Sequence, residues 1–335
     1  MSRLFRDVDG GVLCPLGSVV CIGAFDGLHL GHRALVRHAV SRARALDVPA
    51  VALSFEPLPR EFFAIGNKPP RLTLPRAKFE GLRDLGVDVI GLLRFDRTLA
   101  AMSAEDFVRE VLVARLGARE VWVGPDFRFG HRRKGDIDTL KRLGSELGFA
   151  ANEIAAVHLD GERVSSTRIR EALRDGNFAT AARLLGRPYA IDGRVVRGKQ
   201  LGRTLGYPTA NLRFPHKTPA LSGIYASWVQ GVPRGLPSVV GAQPRSSVSS
   251  FGTRPTVGGI EPLLEAHLFD FDGDLYGQRI AVEFVAKLRD EEKFPDLPTL
   301  VTQMHRDAEQ ARQVLVPEQE PAHPCADFPQ TAARQ

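Results

Sequence analysis

Two periodicities divide this chain, and the point where one gives way to the other limits what it can fold into. Up to residue 176, short apolar runs at 18–23, 50–55, 88–93, 120–124 and 153–159 alternate with helically spaced stretches at 32–46, 76–85, 104–116, 137–147 and 167–174. Apolar runs bounded by turn signals read as buried strands, and the longer periodic stretches as amphipathic helices. Ser103, three residues before Asp106, is placed to cap the third of these helices. Repeated strand–helix units with apolar strands predict a parallel sheet covered by helices on both faces, with ligands at the carboxyl ends of its strands.

Near Gly186-Arg187-Pro188 the pattern changes to glycine- and proline-punctuated strands at 189–197, 224–230, 238–241, 264–269 and 279–287, followed by one helix at 297–315. That spacing predicts a small antiparallel barrel or sandwich. The expected fold class is therefore α/β plus β. A Rossmann-like domain with a parallel sheet fills 1–186, and a small antiparallel β-barrel with a terminal helix fills 187–316. The proline-rich, polar tail at 317–335 is expected to be disordered. The low-complexity stretch 243–250, Gln-Pro-Arg-Ser-Ser-Val-Ser-Ser, reads as a loop.

With 335 residues, 43% hydrophobic and 25% charged, each half can bury its own core without disulfides or metals. The three cysteines, Cys14, Cys21 and Cys325, have neither metal-ligand spacing nor an even count, which fits a reducing compartment. The first ten residues carry Asp7 and Asp9 and no apolar core of a signal peptide, and no apolar run suffices for a membrane span, so a cytoplasmic protein is expected. The net charge of +6 suits anionic partners without choosing among nucleotides, nucleic acid and membrane surfaces.

Two segments of the first half carry chemistry. Ala24-Phe25-Asp26-Gly27-Leu28-His29-Leu30-Gly31-His32 joins the first strand to the first helix. A helix start presents free N–H groups and a positive partial charge to anions, and glycine lets the backbone approach a triphosphate. Two imidazoles there can donate hydrogen bonds to phosphate oxygens and stabilise charge on an α-phosphate and a leaving pyrophosphate. The tetrapeptide alone would also fit two capping histidines. No third ligand supports zinc. Ser165-Ser166-Thr167-Arg168-Ile169-Arg170 follows the last strand, with hydroxyls at a helix start and two arginines. It can cap a helix, or bind phosphate and converge with the histidines on one nucleotide.

In the second half, 193–199 nearly spells a P-loop, but Gln200 replaces Ser or Thr and no helix is expected after it. The basic stretch Gly198-Lys199-Gln200-Leu201-Gly202-Arg203 reads as a flexible loop able to fold over a nucleotide. Pro208-Thr209-Ala210-Asn211 offers two oxygens of the kind Mg²⁺ prefers, and Glu265 is a carboxylate on a strand that can take a proton from an alcohol. By composition alone Glu265 fits an exposed strand residue equally, and Thr209 and Asn211 fit a turn.

Together, F-D-G-x-H-x-G-H and S-S-T-R-I-R resemble the nucleotidylyltransferase superfamily. With Phe55-Glu56-Pro57, Arg71-Leu72-Thr73, Gly86-Val87-Asp88 and the stretch 123–130, the chain is similar to the family of bifunctional bacterial riboflavin kinase/FMN adenylyltransferases, from about residue 19 to 315. G-R-x-L-G-Y-P-T-A-N, G-T-R-P-T at 252–256, L-E-A-H-L at 264–268, D-L-Y-G at 274–277 and R-D-E-E-K-F at 289–294 resemble its riboflavin kinase module. The resemblance implies FMN adenylyltransferase chemistry in 1–186 and riboflavin kinase chemistry in 187–316, with ATP as co-substrate, Mg²⁺, and riboflavin, FMN and FAD as substrates and products. It implies no nucleic-acid or membrane partner. By it, Gly23, Phe25, His29, His32, Ser165, Ser166, Thr167 and Arg168 bind ATP in the first half. Gly198, Gly202, Arg203, Thr209 and Asn211 do so in the second, with Thr209 and Asn211 at the metal and Glu265 as the base. Phe62, Phe63, Asp126, Phe127 and Arg289 lie near the flavin, although core packing also accounts for the two neighbouring phenylalanines. Residues 243–250 appear as an insertion before the G-T-R-P-T segment. A transferase for another phosphate ester, or a nucleic-acid-binding protein, would share the first motif but not the second set.

Overall fold

The computed structural model describes residues 2–66, 68–198, 201–214, 217–232, 244–256 and 259–316. Six parallel strands form the first sheet: β1 (Arg3–Phe5), β2 (Ser18–Ile22), β3 (Ala50–Glu56), β4 (Val89–Arg94), β5 (Ala118–Val123) and β6 (Ala150–Glu153). Their order is β1-β4-β3-β2-β5-β6. The order turns back at β2, so the crevice outside the carboxyl ends of β2 and β5 is the topological switch point where such sheets bind ligands. A two-stranded hairpin, β7 (His158–Leu159) and β8 (Glu162–Arg163), follows.

The helices in chain order are α1 (Leu30–Ala45), α2 (Pro59–Phe62), α3 (Pro75–Asp84), α4 (Arg97–Ala101), α5 (Ala104–Asp106), α6 (Ile137–Leu147), α7 (Ser166–Arg174), α8 (Phe178–Leu185), α9 (Leu201–Thr204) and α10 (Leu297–Val314). Ser103 caps α5, accepting from Asp106 N–H at 2.9 Å. From Phe107 to Arg115 that helix continues with wider π turns. Both faces of the sheet are buried, which is why its strands read as apolar runs rather than alternating ones. Val19 and Cys21 face Leu35, Val36 and Leu82, while Val20 and Ile22 face Val108, Leu112 and Leu140.

The second half closes as an antiparallel barrel in the order β10-β13-β12-β11-β14-β9. Its strands are β9 (Ala190–Val196), β10 (Ala210–Arg213), β11 (Gly223–Val232), β12 (Arg245–Thr256), β13 (Gly259–Leu268) and β14 (Arg279–Arg289). Alternate residues of β14, Ile280, Val282 and Phe284, fill the interior. α10 packs outside with Ala308, Ala311 and Leu315 against Tyr207, Ala226 and Phe269.

Four expectations need correction. Of the strand expected at 153–159, Glu153 is the last residue of β6, whose partner β5 ends opposite it at Val123, and His158–Leu159 belongs to the separate hairpin strand β7. α8 was not visible as a separate helix, although Asn177 caps it through Thr180 N–H at 2.9 Å and Gly186 ends it in the left-handed region. The supposed flexible loop 198–203 contains the helical turn α9; Lys199 and Gln200 lie outside the described residues. The stretch 243–250, read as a loop, is strand from Arg245 onward: Arg245–Ser250 is the first half of β12, paired with β11 and, from Ser247, with β13, while Gln243 lies outside the described residues. Its serines looked like loop, but Ser247 and Ser249 are fully buried and their hydroxyls meet Ser227 Oγ at 2.7 and 2.6 Å. Mutual hydrogen bonds remove the desolvation cost that polarity alone implies. The strand expected at 238–241 and the tail 317–335 lie outside the described residues.

One apolar cluster runs across residue 186. Ile169, Leu173, Phe178, Leu184 and Leu185 of α7 and α8 pack with Tyr189, Tyr225 and Phe284 of the barrel. The Phe178 ring lies 5.8 Å from Tyr225, edge-on, and 6.2 Å from Phe284, stacked. Phe178→Ala is therefore expected to cost about 3–5 kcal/mol. In a denaturation series on a Trp122→Phe background, where Trp228 of the barrel is the remaining tryptophan, its fluorescence should report the lower midpoint although the substitution lies outside the barrel.

Candidate functional site

The loop after β2 is built around Asp26, whose side chain is 1% exposed. Its Oδ1 accepts the N–H groups of Leu72 and Thr73, each at 3.0 Å. Its Oδ2 accepts Arg60 Nη2 at 2.7 Å and Arg170 Nη2. Gly27 N–H donates to Thr73 Oγ1 at 2.8 Å, and Ser166 Oγ donates to Asp26 O at 2.9 Å. The two segments singled out in the sequence are thus brought together, with the Asp26 backbone directly against the first residue of α7. The fully buried Lys78 supports the same loop, its Nζ donating to Ala24 O at 2.8 Å and to Ser54 Oγ at 3.0 Å.

His29 caps α1, its Nδ1 accepting His32 N–H at 3.3 Å, which leaves the proton on Nε2. The two imidazoles stack with centroids 3.7 Å apart. A side chain at Gly31 would come within 3.2 Å of the His29 ring and 3.9 Å of Val164 O, so this glycine permits the close fit of the two helix starts. His32 is half-buried as a whole residue, yet its Nδ1 is enclosed and bonds nothing. Burial pushes the His29 imidazole down to about 4, against an upward pull from Asp26. Burial, then His29 itself, holds His32 well below the ordinary range. Both rings are neutral near pH 7.

The other expected nucleotide residues divide by role. Phe25 is fully buried, edge-on to His32 at 5.4 Å, and Gly23 leaves room for its ring, so both shape the loop from within. Ser165 caps α7 by accepting Arg168 N–H at 3.3 Å, and Thr167 is exposed. The Arg168 guanidinium pairs with Glu162 at 2.6 Å and steadies the hairpin before α7. Asp126, at positive φ after β5, pairs with Arg163 of the same hairpin. Phe127 stacks on Phe129 at 5.3 Å. Across β2, Phe62 and the largely exposed Phe63 lie 5.3 and 5.8 Å from Phe95, which follows β4. The two aromatic groups flank the histidine loop along the carboxyl edge of the sheet.

In the barrel, a cavity of about 970 Å³ opens between β10, β12, β13 and α10. Asn211 and Ser250 stand directly opposite Glu265 on its two neighbouring strands, so the three form a row across the sheet. Glu265, Thr209 and Ser250 line the cavity. Asn211 is 5% exposed, and its Nδ2 donates to Thr209 O at 3.0 Å while its Oδ1 is enclosed without a partner. A buried orphan oxygen beside a threonine hydroxyl fits a cation that takes oxygen ligands, such as Mg²⁺. Among the described residues no group of three or more His, Cys, Asp or Glu could hold a metal, so such an ion would draw its other ligands from phosphate and water. Gly198 backs onto Asn211 Oδ1, where a Cβ would come within 2.8 Å. At Gly202 a Cβ would meet Tyr207 O at 2.3 Å, which fixes the α9 turn; Arg203 is exposed. Arg289 lines the cavity but its guanidinium is clamped by Asp307 of α10 at 2.7 and 2.9 Å.

Asp26, Arg71, Phe95, Ser250 and Asp307 carry no role readable from the sequence, and Arg170, read there as a phosphate donor, is instead paired with Asp26. Asp26 and Arg71 lie inside segments already quoted, but a buried ion-pair partner carries no local signature. Ser250 was hidden by its apparent loop.

A switch-point helix start bearing neutral stacked imidazoles, joined to a closed barrel with an oxygen-lined cavity, defines a two-domain enzyme of phosphate-group transfer. The family model for FAD synthetase matches residues 14–168 and that for riboflavin kinase matches 185–315. The chain belongs to the family of bifunctional riboflavin kinase/FMN adenylyltransferases. The member from Escherichia coli strain K12 is 43% identical over 297 residues, covering 89% of this chain and 92% of that one. The member from Haemophilus influenzae is 40% identical over 310 residues, covering 92% and 98%. A crystal structure from Streptococcus pneumoniae, described as a macrolide-efflux protein, superposes with a TM-score of 0.71 at 30% identity, covering 93% of this chain and 98% of that one. Efflux is that protein's description; among the described residues here no helix is long and apolar enough to cross a membrane.

The depressed imidazoles give a pH signature. The folded His29 value of about 4 lies below its ordinary 6.5, so between these values the unfolded chain binds protons that the folded protein does not. Stability present above pH 6.5 should therefore fall as pH drops toward 4. Thermal midpoints of wild type and His29→Asn across that range test this: the variant should show the shallower decline, and parallel curves would refute a buried neutral His29.

Proposed function

We propose that the family's two activities divide between the halves of this chain at the residues described, with 1–186 adenylylating FMN and 187–316 phosphorylating riboflavin. In the first half the FMN phosphate oxygen attacks the α-phosphorus of ATP. A new P–O bond forms, the α–β bridging bond breaks, and pyrophosphate leaves. The neutral His29 donates from Nε2, and with His32 and the α1 N-terminus it stabilises the growing negative charge without itself losing a proton. Ser165, Thr167 and Arg168 provide the facing phosphate lobe. Phe62, Phe63, Asp126 and Phe127 border the flavin. The stacked imidazole pair held against the start of α7 is the observation that carries this half.

In the barrel, Glu265 takes the proton of the riboflavin 5′-hydroxyl as its oxygen attacks the γ-phosphorus and ADP leaves. Asn211 and Thr209 would hold Mg²⁺, whose charge, when bound, offsets that of the phosphates. Gly198, Gly202 and Arg203 border the nucleotide, and Arg289, fixed by Asp307, borders the flavin. The reading places the enzyme in the cytoplasm, where ATP is available and the buried free Cys14 and Cys21 stay reduced.

Chromatography of products from riboflavin, ATP and Mg²⁺ tests the scheme. Wild type should yield FMN and then FAD. His29→Ala should lower FAD formation about 100-fold or more while FMN accumulates. Glu265→Gln should lower FMN formation by about 100-fold or more while supplied FMN is still converted to FAD. Loss of both activities in either folded variant would refute the division of labour.

A further inference from the structure

A chain of charges and hydrogen bonds crosses from the barrel half into the adenylyl site. Lys217, shortly after β10, reaches back to the first domain, where its Nζ pairs with Glu56 and lies 3.2 Å from Glu61 Oε2. Both carboxylates also grip Arg71, whose side chain is wholly buried. The Arg71 backbone N–H donates to Thr218 O at 2.7 Å, so the barrel holds this arginine by its main chain as well. Arg71 Nε donates to Thr73 O at 2.9 Å. Thr73 in turn binds Asp26 through its N–H and Gly27 through its hydroxyl. His29 follows two residues later.

The charges in this cluster depend on one another. Burial alone would raise the Glu61 carboxyl, but Arg71, the Leu58 N–H and Lys217 hold it below the ordinary range. Without Lys217, Arg71 is the one cation left paired with the two largely buried carboxylates among the described residues, beside the Leu58 N–H that Glu61 accepts. Their stronger pull on the guanidinium would then compete with its bond to Thr73 O, which helps fix the segment that anchors Asp26. Buried ion clusters respond this way because an uncompensated charge in a poorly solvated site must find another partner. No other lysine or arginine of 187–316 pairs with Glu56 or Glu61 among the described residues.

We propose that Lys217, a residue of the kinase half, is a positioning residue for adenylyl transfer in the other half, acting through Arg71 and Thr73 on the Asp26–His29 loop. The inference rests on the reading of His29 given above. It predicts that an alteration in the barrel will damage FAD formation and spare FMN formation. Arrangement of the phosphates, rather than capture of FMN, is what the loop controls, so kcat rather than KM should respond.

Lys217→Met keeps the side chain's length and removes its charge. With FMN and ATP its kcat should fall about tenfold or more, since small misplacement of catalytic groups has large effects on rate. KM for FMN should stay within about twofold, and the same sample should phosphorylate riboflavin at the wild-type rate, which also shows that the barrel is folded. Lys217→Arg should recover most of the loss. Undiminished FAD formation by Lys217→Met, or parallel loss of both activities, would overturn the proposal. If His29→Ala lowers FAD formation and Lys217→Met does not, only this inference fails; if His29→Ala has no effect, the reading of the site fails with it.

Discussion

The adenylyl half is organised by the buried carboxylate of Asp26. A charge removed from water is destabilising unless its lone pairs are filled, and here two backbone N–H groups and two guanidiniums fill them. Those four donors come from three separate places: α2, the segment before α3, and α7. Satisfying one carboxylate therefore fixes the β2–α1 loop, the hydroxyl-rich helix start and the Arg71 segment at once. The histidines inherit that order. His29 is spent on capping at one nitrogen and offers the other, and its depressed basicity makes it a neutral donor at working pH. In the proposed adenylyl step, neutral donors would suit release of a highly charged pyrophosphate, because they stabilise developing charge without holding the product as a full ion pair would.

The barrel meets a different chemical demand. An alcohol must lose its proton, so a carboxylate is needed where adenylyl transfer needs none. Sheet geometry supplies the arrangement: residues opposite one another on adjacent strands project to the same side, so Asn211, Glu265 and Ser250 form a row fixed by register. The ion pair of Arg289 with Asp307 ties β14 to α10 beside that row and closes the cavity with a rigid wall.

The two halves are chemically separate but not mechanically independent. The apolar cluster from α7 and α8 continues into the barrel, and the Arg71 network crosses the same boundary. α7 thus presents its N-terminal turn to the Asp26–His29 loop while its apolar face packs on the barrel half. A helix anchored on one domain and read out in the other is a natural path for mutual support, since packed interiors transmit displacement with little give.

The sequence by itself determined the alternation of strands and helices in the first half and the change to antiparallel strands after it, because those signals are local: apolar period, capping residues and turn chemistry; it passed over β10 and α8. It also singled out His29 and His32, which stand at the start of α1 after β2, and Thr209 and Glu265, which line the barrel cavity beside Asn211. It misjudged Arg245–Ser250, where buried serines satisfy one another across strands, and it ran the strand at 153–159 past the end of its partner. Only the tertiary structure decided that β2 and β5 flank the switch point, that Asp26 gathers three distant segments, that Ser250 stands beside Glu265, and that Lys217 reaches into the other domain. Strand order, register and the pairing of buried charges are relations between residues far apart in the chain. A single sequence carries the partners but not the proximity that makes them partners.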